Sequence, residues 1–166
     1  MRYLFVLVFL MCGCAERQAQ TAVQTSLTAL ASGLNQADDV YVSGRIATAA
    51  EETRTSVASE HPDARPDEMM SLYIEAMHPW YTAVDRMEEV RVILQTAQVA
   101  VTTWIATSVL PADWGVFCTT AGEQFELLVQ AIDDVTDEEI PPEIANAGPA
   151  VTLVCGMAES YFTGRE

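Results

Sequence analysis

Residues 66–111 read PDEMMSLYIEAMHPWYTAVDRMEEVRVILQTAQVAVTTWIATSVLP, and the fold turns on how this stretch is divided. Counting from Tyr73, apolar or small residues recur at Ala76, Trp80, Ala83, Met87, Val90, Leu94, Ala97, Val101, Trp104 and Ser108, in strict alternation of three and four. That spacing keeps one face of an α-helix apolar for about five heptads without a phase slip. Pro66 suits the first position of a helix, where its missing N–H would be unpaired anyway, and Asp67 and Glu68 follow where acids complement the helix dipole. Pro79 falls inside the pattern and removes a helical hydrogen bond, which usually kinks a helix, yet the stripe keeps its phase on both sides. The spacing therefore predicts one long kinked helix over about 67–110, some 65 Å long at ~1.5 Å per residue, stopped by Pro111. An all-α helical bundle built around this spine is the expected fold.

On the C-terminal side, Asp113 is placed to cap a helix whose stripe is Trp114, Phe117, Ala121, Phe125, Leu128, Ile132 and Val135. Asp133–Glu143, DDVTDEEIPPE, is an acidic, proline-containing connector. A last helix is expected from Pro149, with Val151, Val154, Cys155, Ala158 and Phe162 on one side and Gly164 at its end. On the N-terminal side, HPDARP at 61–66 is a turn, since each proline biases its predecessor away from the helical region. A segment from about Asp38 or Asp39 to Glu60 has only Ile46, Ala50 and Val57 as a weak apolar face. A helix from about Glu16 to Gln36 carries the narrow stripe Val23, Leu27, Leu30 and Leu34. No strand pattern and no internal repeat is visible.

The 166 residues amount to one domain. Half of them are hydrophobic, which suits a chain that folds. Twenty-four acids stand against eight bases, all of them arginine, for a formal net charge of −16. An acidic surface is repelled by phosphate backbones, so nucleic acid is not an expected partner. The absence of lysine removes Schiff-base and ammonium-nucleophile chemistry.

The chain opens with Arg2 and Tyr3, then the short apolar run LFVLVFLM at 4–11 and the sequence CGCAE at 12–16. The run is about half the ~20 residues a spanning helix needs, and a basic start followed by a short apolar core reads as an export signal. This N-terminus resembles the lipobox of bacterial lipoproteins, with Gly13 as the small residue before Cys14. The resemblance implies a signal peptide at 1–13, lipidation of Cys14, and a mature domain at 14–166 held at a bacterial membrane. With Ala15 rather than aspartate after the cysteine, it implies an outer-membrane address in a Gram-negative envelope. Cleavage after Ala15 by an ordinary signal peptidase is the competing expectation. Within the mature chain, the N-terminal helices of 14–60 are expected to pack loosely and 66–164 to form the main bundle.

Residues 92–112 carry no charge, but Gln95, Gln98 and several threonines dilute the run, and polar groups are costly in hydrocarbon. A buried or oligomer-facing helix is expected there rather than a membrane span. Glu75 and His78 form a Glu-x-x-His, the half-motif of carboxylate-bridged metal sites in helical bundles, but its second copy is missing. They are weak metal candidates beside the bland reading of surface residues at a kink, and no cofactor is expected. Asp133, Asp134, Asp137, Glu138, Glu139 and Glu143 lack the alternation and central glycine of a calcium loop and read as solvated connector. Cys118 and Cys155 lie on or beside the stripes of the last two helices, and in an exported protein they are free to form a disulfide; two small buried thiols are the alternative. No catalytic constellation is present in the sequence pattern. The expected function is non-enzymatic: a lipid-anchored envelope protein that binds a partner, or a second copy of itself, through helical surfaces. A phage-encoded or bacterial lysis or exclusion factor and, further off, a metal-dependent helical enzyme are the alternatives.

Overall fold

The computed structural model describes residues 2–136, 139–140 and 142–163, with side chains described among them from residue 17 to residue 160, that of residue 143 excepted. Among the described residues there are helices and turns and no strands. Helix α1 spans Arg2–Ala37 and passes through a π-helical turn, Asp38–Val42, into α2, Ser43–Glu60. The spine is α3, Pro66–Thr107, and α4 spans Trp114–Asp133. One short turn of helix, α5 at Pro142–Ala145, leads into α6 at Ala147–Thr163.

Four helices close a bundle in which α1 and α4 each pack against both α3 and α6. Its core is one cluster that runs from Val23, Leu27 and Leu34 of α1 to Val90, Leu94 and Trp104 of α3. It continues through Phe125 and Leu128 of α4 to Val151 and Val154 of α6. Tyr41 and Val42 of the π-turn belong to it as well. Helix α2 packs chiefly on α3 and the π-turn and buries a single residue, Ala49. The first part of α3 and α2 thus form a helical arm that projects from the bundle, with Met77 buried inside it. Along its 42 residues α3 is about 63 Å long, the distance between the loop at 108–113 and the arm's tip at 61–65.

The local reasons for these elements lie in the side chains. At the start of α3, the Arg65 N–H donates to the Glu68 carboxylate at 3.0 Å and Pro66 takes the first helical position. Helix α3 continues unbroken through Pro79. The predicted stripe holds from Ala83 to Trp104, all of whose stripe positions are buried. Nearer the N-terminus the buried residue is Met77, whereas Ala76 is exposed and Tyr73 and Trp80 are half-buried. There α3 faces α2 alone, and the flexible methionine fills the space between them.

Several boundaries differ from expectation. Helix α1 begins at Arg2 rather than near Glu16, and the break expected at about 35–39 with Asp38 or Asp39 as cap is absent, because the chain stays helical through the π-turn with no side-chain cap. Helix α3 stops at Thr107 rather than Leu110, because Ser108 turns left-handed at φ 54° and its N–H closes the last turn on the Trp104 carbonyl at 2.7 Å. Pro111 excludes the helical region at Leu110, so the chain must leave the helix before it. Asp113 precedes α4 but makes no side-chain capping bond; the Trp114 N–H donates to the Pro111 carbonyl at 3.1 Å instead. Helix α6 begins two residues before Pro149, whose missing N–H falls in the first turn. Its Val151, Val154, Cys155 and Ala158 are buried as the stripe predicts, while the Phe162 side chain and Gly164 lie outside the described residues.

Small residues let α4 and α6 approach closely. A Cβ on Gly122 would stand 3.2 Å from the Thr152 hydroxyl, and one on Gly148 would stand 3.3 Å from the Gly122 carbonyl. On this seam Cys118 and Cys155 are bonded, with sulfurs 2.05 Å apart and Cα atoms 5.8 Å apart.

Candidate functional site

The tip of the arm brings together the most chemically distinct surface. The chain turns there with the His61 N–H donating to the Val57 carbonyl at 3.0 Å and the Ala64 N–H to the His61 carbonyl at 3.1 Å. Pro62 and Pro66 stiffen the ends of this turn. Below it, α2 and α3 enclose a cleft of about 430 Å³ lined by Arg54, Val57, Ala64, Pro66, Met69, Met70 and Tyr73. Met70 is 59% exposed. The Tyr73 phenol is held above its usual pKa range, first by partial removal from water and then by the neighbouring Tyr81 hydroxyl.

The cleft's own lining holds no acid and one cation, Arg54, but the chain around it is acidic. Between residues 51 and 75 there are seven acids and two arginines. Both arginines are engaged locally: Arg54 reaches Glu51 at 2.7 Å, and Arg65 reaches Asp67 at 3.2 Å and Glu68 at 3.4 Å. The tip therefore offers an apolar slot within a segment of net negative charge.

The residues singled out from sequence fall elsewhere. Cys14, with Cys12 and Gly13, lies in the α1 backbone but outside the described side chains. Glu75 and His78 stand exposed on the arm, and among the described residues no three His, Cys, Asp or Glu side chains converge into a cluster able to hold a metal ion. Asp133, Asp134 and Glu139 are exposed on the connector; Asp137, Glu138 and the Glu143 side chain lie outside the described residues. Among the described residues no helix is long and apolar enough to cross a membrane.

Two further clefts flank the bundle. One, between α3 and α4, has Asp85, Glu88 and Glu89 on its lip with Val92 and Ile93 below. The other is an apolar groove between α1 and α6 lined by Leu30, Leu34, Leu153 and Met157. The tip cleft differs from both in combining an apolar slot with a stiffened turn. Of its key residues, Met69 continues the stripe four positions before Tyr73, whereas Met70 sits beside it and escapes a stripe count. The available signal was the adjacent methionine pair directly after a proline-rich turn.

No protein-family model, no curated protein and no solved structure matches the chain.

Proposed function

We propose that the protein is an exported, lipid-anchored scaffold of the bacterial cell envelope that works by binding a partner rather than by catalysis. The observation that carries this reading is the projecting α2–α3 arm. A helical pair that buries little of its own surface gains stability from what it meets, and its tip stands about 63 Å from the 108–113 loop along α3. Helix α1 continues through the π-turn into α2, which reverses at 61–65 into α3 and packs along it, and Asp38 of the π-turn pairs with Arg91 of α3 at 2.7 Å, so α1 runs antiparallel to α3. The N-terminal end of α1, where Cys14 would be acylated, is therefore at the end of the molecule opposite the tip. An anchor at Cys14 would thus hold the bundle near the bilayer and hold the tip away from it. The acidic surface favours this posture, because anionic headgroups repel it.

Intact mass of the protein isolated from its native membrane tests the reading. The expected species starts at Cys14 and carries the added mass of acyl chains, and Cys14→Ser shifts the protein out of the membrane fraction. A species cut after Ala15, or an unmodified full chain, sinks the lipid anchor.

A further inference from the structure

We propose that the arm tip is a docking site for a basic amphipathic helix of a partner protein. The assignment rests on the reading of the chain as a binding scaffold, and it names the chemistry of what is bound. Three observations carry it. Methionine walls suit a helix face, because the unbranched thioether side chain re-packs around whichever leucine or aromatic anchor enters. Met69 and Met70 face the cleft from α3 and Val57 faces it from α2, so an inserted side chain would be gripped from both helices of the arm. The charge around the slot then selects the sign of the partner. Seven acids against two arginines in residues 51–75, with both arginines already paired to acids of the same tip, leave a field that lysine and arginine would complement. A second copy of the same arm would bring like charge against like, and an anionic membrane surface would do the same.

The probe is a synthetic helix of about 14 residues, near the length at which isolated helices become stable, built from leucine and lysine with one tryptophan as reporter and titrated into the full chain. A twin peptide with glutamate in place of lysine is the charge control. Any acidic protein attracts a cationic peptide, so the deciding variant is Met70→Glu, which adds negative charge while filling the slot with a carboxylate. Met70 is exposed enough for the substitution to leave folding intact, which an unchanged thermal melt verifies. Val99→Glu adds the same charge at an exposed site on the bundle, far along α3 from the tip.

The expected result is binding of the lysine peptide that weakens roughly tenfold or more in Met70→Glu, the scale of a lost anchor at an interface centre, and that is not weakened in Val99→Glu. Equal or tighter binding in Met70→Glu overturns the assignment, since attraction by net charge alone would strengthen. Equal binding of the glutamate peptide overturns it too. So does a dimer in sedimentation equilibrium that Met70→Glu dissolves, which would make a second copy the occupant. A photo-crosslinker at position 70 that captures, in cells, a partner without a basic helix overturns this assignment while leaving the scaffold reading standing. Failure of the scaffold reading would appear instead in the mass and fractionation of the Cys14 species.

Discussion

Asp38 is the residue at which burial and charge compete most directly. Its side chain is only 17% exposed, and partial burial opposes ionisation, but the Ser43 hydroxyl and the Arg91 guanidinium donate to the carboxylate and together hold its pKa below the ordinary value. Because the folded pKa lies below the unfolded one, near 3.9, the stability this group contributes is present above that value. It is lost as pH falls through the folded pKa. Asp38→Asn should therefore destabilise the protein at pH 7 by about 1 kcal/mol, a modest figure because Arg91 is partly solvated and keeps Glu88 as a partner. The same substitution should flatten the acid limb of stability below about pH 4, and urea denaturation of both proteins across pH 3–7 checks both effects. The neighbouring Gly44 has no such latitude: a Cβ there would overlap the Asp39 carbonyl oxygen, which the π-turn brings inward.

Among the elements, α3 serves two settings along one helix. From Ala83 to Trp104 it is packed on both flanks by α1 and α4; before that it has α2 alone. Leu94→Ala should cost about 2–5 kcal/mol of global stability, as expected for a fully packed site. Met77→Ala should act locally, raising amide exchange through α2 and the first turns of α3 while leaving α4 and α6 protected; hydrogen exchange resolved by segment separates the two outcomes. The same division explains what was legible in sequence. In the bundle half, the alternation of three and four named the buried residues correctly because partners on several sides demand one continuous apolar face. In the arm, Ala76 was expected inside and Met77 was found there, since a single partner tolerates a rotated face. The C-terminal stripes were largely readable because short connections leave α4 and α6 few ways to pack, but the sequence leaves the Cys118–Cys155 bond open beside two buried thiols, because a stripe does not set the register that brings the sulfurs together. The π-turn at 38–42 was not readable, because only tertiary contacts to Arg91 single it out from ordinary helix. The tip cleft was also unreadable, since it depends on how two helices diverge at a turn.

For the molecule as a whole, the Cys118–Cys155 bond closes a loop with a sequence separation of 37. In the chain-entropy account such closure is worth roughly 4 kcal/mol. Reduction, or paired replacement of both cysteines by alanine, should lower the unfolding free energy by about 3–4 kcal/mol on that account, read from denaturation curves with and without reductant. The loss should fall on the bundle, since α4 and α6 both belong to its core and α2 does not. The bond also decides how the protein bears load. A pull applied between the N-terminal end of α1 and the arm tip would run along α1, the π-turn and α2. The covalent clasp lies off that route and carries none of the tension. Stretched instead from end to end, the oxidised chain withholds the slack between its two bonded cysteines, roughly 120 Å of contour at full extension, until a reductant releases it.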